Sequence, residues 1–397
     1  MDVPALLLPG DGPDVISGQT RAAVFAAVLS AGPLSRVEVA ERTGLSPSTV
    51  TKVVAPLMEA GYLVETGVAS AGGTPGRPRR MLSVNRDRHR VAGVKLHPSK
   101  VTAVLTDMEG RVTARAERRL RGHRPESVLR TAADAVAELM VTEGPPALGL
   151  GVGVGGHVDQ TTGKIVHSGI LGWEDVDVAG PLAELTGLPT VVSNDVNTLV
   201  VAEHWFGKGR GTESFAVVTV GAGIGCGLLL GGRLYTGAGG LAGELGHLPL
   251  YQDGPECSCG NRGCLEAMAS TPAILRSIAE RGGPALRSIV RAARLAREDS
   301  GPSGAAARAA FEAAGEALGR GLAALYNLLN LEMVILSGED VNAHDLFGPA
   351  ASAAAEAHAF STAARDCELV VDAVDDQLWA RGAACLVIHQ AVGITPR

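Results

Sequence analysis

Aromatic side chains are scarce in this sequence: phenylalanine, tryptophan and tyrosine together make up 3% of its 397 residues. A hydrophobic content of 46% still allows a large core, but that core has to be built from alanine, valine, leucine and isoleucine. The 52 glycines fit an α/β protein with many tight turns. A chain of this length is too long for one ordinary core, so we expect two or three domains.

Long apolar runs and a targeting signal are also missing. No apolar run reaches the roughly 18 residues that are needed to cross a bilayer. The first residues, MDVPALLLPGDGPD, contain neither a basic segment nor a signal-peptide cleavage site. We therefore expect a cytoplasmic protein with no membrane partner. Its six cysteines are then expected to be metal ligands or free thiols rather than disulfides.

The chain as a whole lacks an excess of positive charge, since its formal net charge is −7. That value alone argues against a nucleic-acid partner. Residues 17–90 reverse the inference, because they carry ten basic and five acidic residues. A basic N-terminal segment attached to an acidic body is what binding to phosphates at one end requires.

Capping and turn residues divide the N-terminal segment into three helices and a hairpin. Residues 1–16 are rich in proline, glycine and aspartate, and we expect them to be disordered. Residues 19–31 have the apolar spacing of a helix, and Ser35 and Ser46 are placed to cap two further helices. Two strand-like segments then flank a Gly/Pro-rich loop. Three helices and a hairpin predict a winged helix-turn-helix over residues 17–86.

The third of these helices would be the recognition helix, whose N-terminal side chains meet base edges in the major groove. The predicted DNA contacts are polar side chains at that helix and arginines at the wing tip: Ser46, Ser48, Thr49, Thr51, Lys52, Arg77, Arg79 and Arg80. The predicted packing face consists of Val50, Val53, Val54 and Leu57. The alternative is a three-helix module that docks on another protein and exposes a solvated basic loop.

The rest of the chain alternates strand and helix patterns, which predicts an α/β body of two lobes with a cleft between them. Strands are expected at VAGVKL, VTAVLTDMEG, VTARAERRL, ALGLGVGV, PTVVSND, FAVVTVGAG, MVILSG and ELVVDAV. Helices are expected over residues 125–143 and 180–186, within 271–331, and over 376–392. The predicted body spans residues 87–397, with a small lobe of about 87–196 plus 376–397 and a large lobe of about 197–375.

Four potential metal ligands lie close together in the sequence: His247, Cys257, Cys259 and Cys264. Three thiolates and one imidazole make a closed tetrahedral set, which is typical of structural zinc. Gly260 and Gly263 would let the loop fold back around a small ion. The alternative is a group of unrelated buried thiols beside a core histidine. The isolated Cys226, Cys367 and Cys385 are expected to be core residues of that ordinary kind.

From about Gln19 to its end, the sequence resembles the ROK family of sugar-responsive repressors and sugar kinases. The resemblance rests on VGAGIGCG at residues 220–227, GGLAGELGH at 239–247, CSCGNRGCLE at 257–266, NDVN at 194–197 and the Gly-Arg-Pro wing. It implies a bilobed actin-like, ribonuclease H-like ATPase fold of the sugar-kinase type behind the winged helix-turn-helix. By the same resemblance, the residues lining a sugar pocket would be Asn194, Asp195, Glu244, His247 and Glu266.

In kinase members of this family, the residue matching Asp195 would be the general base that accepts the proton of the attacking sugar hydroxyl. Kinases of the family open the body with a strand ending in D-x-G-G-T-K, whereas this chain has GVKLHPSK at residues 93–100. Lys95 replaces the aspartate, and His97 and Pro98 replace the two glycines that let backbone N–H groups approach the phosphates. We therefore expect no enzyme, with Asp195 as a vestigial base.

Taken together, the sequence predicts a sugar-responsive DNA-binding transcriptional regulator that acts as a repressor. Its expected partners are double-stranded operator DNA, a sugar or phosphosugar effector, and further copies of the chain in a homodimer or homotetramer. Its expected cofactor is structural zinc. The alternative function is an ATP-dependent ROK-type sugar kinase that carries a DNA-binding domain and uses Asp195 as its base.

Overall fold

A computed structural model of the chain describes residues 18–69, 79–373 and 376–391. The helices are α1 (Gly18–Ala31), α2 (Arg36–Thr43), α3 (Pro47–Glu59), α4 (Pro125–Met140), α5 (Ala179–Thr186), α6 (Asp195–Phe206), α7 (Leu265–Ala269), α8 (Thr271–Glu280), α9 (Ile289–Glu298), α10 (Pro302–Leu329), α11 (His344–His358), α12 (Ala363–Asp366) and α13 (Asp376–Ala391). Short 3-10 helices span Leu245–His247 and Val341–Ala343.

The strands are β1 (Leu34–Ser35), β2 (Leu63–Ala69), β3 (Arg79–Val84), β4 (Arg90–Leu96), β5 (Lys100–Thr106), β6 (Val112–Arg119), β7 (Ala147–Val154), β8 (His157–Asp159), β9 (Lys164–Ser168), β10 (Trp173–Asp177), β11 (Thr190–Asn194), β12 (Phe215–Val220), β13 (Ile224–Leu230), β14 (Arg233–Tyr235), β15 (Met333–Ser337) and β16 (Glu368–Val371). Every strand expected from the sequence is present. Strands β1, β8, β9, β10, β13 and β14 were not expected.

The N-terminal part folds as the predicted winged helix-turn-helix. Ser35 caps α2 in a capping box with Glu38, and Ser46 caps α3, so both short helices begin where their side-chain caps lie. The apolar face of α3 is buried, as expected, and consists of Val50, Val53, Val54 and Leu57. The wing is a sheet in the order β1-β3-β2, in which β1 adds a third strand to the hairpin.

Contacts divide the chain into two compact units, a first unit of Met1–Gly211 with Asp376–Arg397 and a second unit of Thr212–Asp375. The first unit joins the winged helix-turn-helix to the predicted small lobe. The boundary after Gly211 differs from the one expected near residue 196. Helix α6 belongs to the first unit because it packs against α13 and β7, so the chain leaves this unit only after α6 has ended.

The two units contain five-stranded sheets with the same topology. In the first unit the order is β11-β7-β4-β5-β6, and in the second it is β14-β13-β12-β15-β16. In each sheet, three consecutive strands form an antiparallel meander. Two further strands pair in parallel, one beside the first strand of the meander and the other at the edge of the sheet. This repeated topology is the sugar-kinase-like, actin-like architecture that the sequence predicted.

A small antiparallel sheet, β10-β9-β8, extends the first unit between β7 and α5. Its strands are three to five residues long and mostly half-buried or exposed. Such short strands with polar side chains lack the apolar alternation by which strands are recognised in a sequence. The buried Trp173 in β10 anchors the sheet by donating from Nε1 to the His123 carbonyl at 2.5 Å.

Small side chains dominate the core of the second unit, which follows from the shortage of aromatic residues. Helix α10 spans 28 residues, and alanine, glycine and leucine make up most of its buried positions. Because these side chains are short, α11 packs closely along it. Among the described residues, no helix is long and apolar enough to serve as a membrane span.

Helix α13 packs very closely against the sheet of the first unit at two glycines. A Cβ on Gly151 would lie 1.8 Å from the carbonyl oxygen of Ala383, and one on Gly93 would lie 2.0 Å from that of Ala380. Since these obstacles are backbone atoms, the helix would have to move to admit any side chain. The two glycines on β7 and β4 therefore set the distance between helix and sheet.

We predict that Gly151→Ala lowers the free energy of unfolding of the first unit by about 3 kcal/mol, because the added methyl group overpacks the interface between α13 and β7. Urea denaturation followed by circular dichroism measures this. Gly122→Ala is the matched control, since nothing lies within 4 Å of its added Cβ. An equal effect of both substitutions would contradict the close approach of α13.

Candidate functional site

The N-terminal turn of α3 presents a row of hydroxyl groups and one lysine. Ser46, Ser48, Thr51 and Lys52 are exposed and Thr49 is half-buried. The Ser46 hydroxyl lies 2.8 Å from the hydroxyls of both Ser48 and Thr49, and Thr51 donates to the Pro47 carbonyl at 2.9 Å. The turn is therefore ordered by its own hydrogen bonds, while its outer surface, including Lys52, faces solvent.

The wing places the three predicted arginines differently. Arg77 lies outside the described residues, and Arg79 begins β3. Arg80 forms an ion pair with Glu65 at 2.6 Å, and Arg36 pairs with the same carboxylate at 3.0 Å. The hydrogen bond from Arg80 holds the pKa of Glu65 below its ordinary value. Arg80 thus has a partner within the wing, which the sequence pattern did not indicate.

In the second unit, the side chains of His247, Cys257, Cys259 and Cys264 converge, and their ligand atoms all lie within 4.8 Å of one another. The Cys259 and Cys264 sulfurs are 3.7 Å apart, and Nδ1 of His247 is 3.5 Å from the Cys257 sulfur. Metal–sulfur bonds of about 2.3 Å give a tetrahedral sulfur–sulfur distance of about 3.8 Å. The four residues therefore fit a single tetrahedral metal ion.

Backbone hydrogen bonds fold the loop between residues 249 and 264 around this cluster. Cys257 N–H donates to the Asn261 carbonyl at 2.8 Å, and Gly260 N–H donates to the Cys257 carbonyl at 3.0 Å. Gly263 has φ +68°, and a Cβ there would lie 1.7 Å from the Tyr251 carbonyl oxygen. The expected role of glycine in turning this loop is confirmed by that backbone geometry.

Two thiols of the cluster, those of Cys264 and Cys259, have opposite pKa shifts. Burial raises the pKa of Cys264 to about 12, whereas hydrogen bonding, chiefly from the backbone N–H of Asn261, lowers the pKa of Cys259. A divalent cation among the sulfurs would stabilise all three as thiolates and offset the cost of burying Cys264. The donor set is thus one that gains from a bound metal.

Three of the residues expected to line a sugar pocket lie in or beside the His/Cys cluster. Nε2 of His247, the ring nitrogen on the side away from the cysteines, lies 3.9 Å from the Glu244 carboxylate. Glu266 accepts from Ser258 Oγ at 3.2 Å through one oxygen and from Ile224 N–H at 3.2 Å through the other. Glu266 therefore connects the loop of residues 249–264 to the start of β13.

The other two predicted pocket residues lie in the first unit, where β11 ends and α6 begins. Asn194 is the N-cap, since its side-chain oxygen accepts from Val196 N–H at 2.9 Å and its amide donates to the Gly156 carbonyl at 2.9 Å. Asp195 is the first residue of α6. The cap of α6 is therefore Asn194 and not Asp195.

Asp195 forms a buried ion pair with Lys95 of β4. The side chains of Lys95 and Asp195 are 5% and 13% exposed. The Lys95 ammonium also lies 4.7 Å from the centre of the Trp379 ring of α13, in cation–π geometry. The other carboxylate oxygen of Asp195 accepts from Val196 N–H at 2.9 Å. Both oxygens of the would-be base are therefore engaged.

The β4–β5 turn that follows Lys95 is closed by its own hydrogen bonds. His97 N–H donates to the Lys100 carbonyl at 2.9 Å, and Leu120 N–H donates to the Ser99 carbonyl at 2.8 Å. Pro98 has no N–H to offer, and its carbonyl lies 2.6 Å from Nε2 of His123. The turn is a tight hairpin in which the His97 N–H is engaged and Pro98 has no N–H to offer.

A winged helix-turn-helix joined to a sugar-kinase-like body defines a class of DNA-binding regulators whose sensor is derived from an enzyme fold. The chain belongs to the ROK family, which it matches over residues 91–390. Residues 20–64 match the winged helix-turn-helix DNA-binding family. These matches agree with the division of roles between the N-terminal segment and the body.

Two relatives that share most of the chain are regulators. The xylose repressor of Bacillus subtilis is 29% identical over 366 residues, which is 91% of this chain and 92% of that protein. The DNA-binding transcriptional dual regulator NagC of Escherichia coli is 29% identical over 355 residues, covering 85% of this chain and 84% of that protein. These similarities identify the chain as a transcriptional regulator of the ROK family.

Solved structures show the same architecture. A ROK family transcriptional regulator described as a homologue of the E. coli MLC protein superposes with a TM-score of 0.79 at 24% identity, covering 95% of this chain and 97% of that chain. A ROK glucokinase of Streptomyces griseus, solved with glucose and AMPPNP, gives a TM-score of 0.65 at 25% identity. It covers 75% of this chain and 98% of that chain, so the kinase accounts for only part of the length.

We predict that Lys95→Met destabilises the first unit by about 3–5 kcal/mol, because it leaves the Asp195 carboxylate buried without a counter-charge. Lys95→Met combined with Asp195→Asn should recover most of that loss, since no buried charge remains. A double-mutant cycle in urea measures the coupling. The exposed pair of Lys100 and Glu117 is the control, with an expected coupling of about 0–1 kcal/mol. Additive effects at Lys95 and Asp195 would rule out the ion pair.

Proposed function

We propose that this protein is a repressor that binds operator DNA through its winged helix-turn-helix and responds to a sugar held by the body. The observation that carries the proposal is the Lys95–Asp195 pair. The body keeps the fold of a sugar kinase, but its would-be base is neutralised by a buried lysine. The Asp195 carboxylate is held by Lys95 and by the Val196 N–H, and its remaining lone pairs can still accept hydrogen bonds from hydroxyl groups.

For DNA, we propose that α3 enters the major groove through Ser46, Ser48, Thr49, Thr51 and Lys52, with Arg77, Arg79 and Arg80 on the wing. The exposure of Lys52 and of the hydroxyl row supports this assignment. Two such domains in a homodimer would read two half-sites of one operator. An operator-binding protein works where the DNA is, which in bacteria is the cytoplasm.

For the sugar, we propose Asn194, Asp195, Glu244, His247 and Glu266 as the binding residues. Carboxylates, an amide and an imidazole are suited to paired hydroxyl groups, because each buried hydroxyl left unpaired costs about 1–3 kcal/mol. The xylose repressor and the glucokinase solved with glucose are named for sugars. A sugar ligand for this chain follows from those names and from the donor and acceptor types of its own residues.

For the metal, we propose zinc, held by His247, Cys257, Cys259 and Cys264 in a structural role. Four protein ligands leave no position for water, so the ion would stabilise the loop rather than take part in chemistry. With Nδ1 of His247 facing the cysteines, its Nε2 carries the proton and faces Glu244. Zinc would thereby fix the tautomer and the orientation of one sugar-binding residue.

Within the first unit, α6 connects the proposed sugar residues to the DNA-binding domain. Asp195 begins α6, and Phe206 ends it. The Phe206 ring packs on Gly110 and lies 4.7 Å from the Arg381 guanidinium, which donates to the Gly110 carbonyl at 2.6 Å. Helix α1 of the DNA-binding domain packs directly against α6. A ligand that binds at the N-terminus of α6 and displaces this helix would therefore also displace α1.

The segment after the wing offers a second connection. Asn85 and Arg88 donate to the carbonyls of Gly61 and Ala60, each at 2.9 Å, where α3 has ended. Arg90 donates to the carbonyls of Pro145 and Thr142 at 2.8 and 2.7 Å, in the loop between α4 and β7. Residues 85–90 thus join the end of the recognition helix to the body through hydrogen bonds rather than through a free linker.

The proposed function is tested by mobility shifts on the DNA upstream of the protein's own gene, with and without a panel of sugars. We predict that one sugar weakens the complex and that Lys52→Ala lowers the slope of log affinity against log salt concentration by about 1, since one phosphate contact is lost. The exposed Arg294 of α9 provides the control variant, Arg294→Met. Failure to bind any upstream fragment would argue for the protein-docking alternative.

For the metal, we predict that the purified protein contains one zinc ion per chain and that Cys259→Ser loses most of it, because the site requires all four ligands. Inductively coupled plasma mass spectrometry gives the stoichiometry. Cys367→Ala serves as the control, since this buried thiol lies outside the cluster. A full zinc content in Cys259→Ser would refute the proposed ligand set.

For the connection through α6, we predict that Arg381→Met leaves the sugar affinity unchanged but reduces the effect of sugar on DNA affinity several-fold. The substitution removes the hydrogen bond to Gly110 and the cation on Phe206 while keeping a side chain of similar length. Calorimetry gives the sugar affinity, and mobility shifts give the effect on DNA. An undiminished sugar effect would show that coupling does not pass through this end of α6.

A further inference from the structure

The edge strand β6 and the turn that follows it carry a dense run of arginines. Residues 111–124 contain six arginines and one acidic residue, Glu117. Outside this run and the N-terminal segment 17–90, acidic residues outnumber basic ones by 36 to 19. The run is therefore a strongly positive patch on an acidic body, and neither the proposed sugar residues nor the His/Cys cluster makes use of it.

Four exposed arginines, the β6 arginines, belong to this run: Arg115, Arg119, Arg121 and Arg124. The acids nearest to them are engaged elsewhere, since Glu117 pairs with Lys100 at 3.2 Å and Glu138 of α4 pairs with Arg118 at 2.5 Å. Within the part of the chain that the structure describes, no ion pair includes any of the four. Their charge is therefore available to a partner.

Two placements in this patch oppose folding rather than favour it. Lys100 of β5 lies directly opposite Arg119 in the register of the two strands, and like charges in such a pair repel. Arg124 occupies the N-cap of α4 without a side-chain capping bond, where a cation meets the positive end of the helix dipole. A bound polyanion would relieve both repulsions.

The turn after β6, residues 120–124, is held in place by hydrogen bonds. Leu120 N–H donates to the Ser99 carbonyl at 2.8 Å, and Nε1 of the buried Trp173 donates to the His123 carbonyl at 2.5 Å. Because this backbone is already ordered, a partner that binds the arginines on it has less conformational entropy to overcome.

The patch begins beside the DNA-binding domain. Met108 N–H, in the turn between β5 and β6, donates at 3.2 Å to the carbonyl of Arg86, which follows the wing strand β3. From Val112 to Arg119, β6 extends over roughly 24 Å, at about 3.4 Å per residue. One turn of duplex DNA is about 34 Å long. The strand thus carries positive charge away from the wing over a distance comparable with one turn of DNA.

We propose that the β6 arginines bind the phosphate backbone of DNA next to the bases read by the winged helix-turn-helix. This inference rests on the proposed function, which requires operator DNA, and adds a second contact surface on the body. The structure favours DNA over an acidic protein because the patch lies in the same compact unit as the DNA-binding domain and continues from the end of the wing. Arginine contacts to phosphate carry no base specificity, so the patch adds affinity and salt dependence without changing the sequence preference.

The test measures how the DNA affinity of the full-length protein depends on salt, with two duplexes from the region upstream of its own gene. The short duplex contains only the bases whose substitution changes binding, and the long duplex extends it by about two helical turns on each side. We expect Arg115→Gln/Arg119→Gln to lower the slope of log affinity against log salt concentration on the long duplex by about 2 per bound chain, since each lost phosphate contact removes about 0.9. Its slope on the short duplex should equal that of the unmodified protein, which also shows that the variant is folded.

Two further variants show whether the position of the charge matters. Arg291→Gln/Arg294→Gln on α9 is the matched control, because it removes the same charge from exposed arginines of the second unit. It should leave both slopes unchanged. Arg115→Lys/Arg119→Lys is the conservative variant and should keep most of the slope on the long duplex, since lysine also neutralises a phosphate.

An unchanged slope of Arg115→Gln/Arg119→Gln on the long duplex would overturn the inference while leaving operator binding intact. An equal loss of slope in the α9 control would also overturn it, because net charge rather than the β6 arginines would then be responsible. A lower sedimentation coefficient of Arg115→Gln/Arg119→Gln, with DNA binding unchanged, would overturn it by assigning the patch to contact with a second copy of the chain. If the unmodified protein binds no upstream fragment, the proposed function itself fails.

Discussion

Lys95 and Asp195 form an ion pair in the interior of the first unit, and each is the counter-charge of the other. Removing two charges from water is costly, and only close pairing with additional contacts compensates for that cost. Trp379 and the N–H of Val196 supply those contacts. The pair joins β4 to the start of α6 and, through Trp379, to α13. It therefore fixes the helix that carries two proposed sugar residues, and it turns a potential base into a fixed acceptor.

The metal cluster has the corresponding role in the second unit. The cluster includes His247, its loop supplies Ser258 as a donor to Glu266, and Glu266 in turn accepts from the first residue of β13, Ile224. If the cluster holds the proposed ion, loss of that ion would disturb the proposed sugar residues as well as the loop. The ion pair in the first unit and the His/Cys cluster in the second each orient some of the proposed sugar residues.

Regulation requires that binding at the body changes the DNA-binding domain, and the first unit contains that domain together with two proposed sugar residues, Asn194 and Asp195. Helix α6 begins at Asp195, ends at Phe206 and packs on α1, while residues 85–90 bond to both the end of α3 and the body. These continuous contacts are a physical route for coupling, and a substitution such as Arg381→Met measures the strength of that coupling. Enzyme turnover would need a free base and a phosphate cradle, whereas regulation needs neither.

The sequence by itself determined what depends on neighbours along the chain. Serine caps set the starts of α2 and α3, apolar runs marked the principal strands, and the spacing of His247 and the cysteines marked the metal cluster. Glycine signatures pointed to the family. Such features are local, because a cap, a turn or a ligand loop is complete within a few residues. The sequence did not predict the short strands β8–β10 because they lack apolar alternation.

Only the tertiary structure decided which distant groups meet. Lys95 was recognisable as a substitution in a phosphate loop, but its partner lies 100 residues away in the sequence. The pairing of Arg80 with Glu65, the position of Glu339 over Gly221 and the unit boundary after Gly211 likewise depend on how sheets and helices pack. A buried lysine on a strand requires an acidic side chain as its counter-charge, but the sequence contains many acidic residues. Packing alone selects one of them, because the cost of burying charge is met only where the two side chains touch.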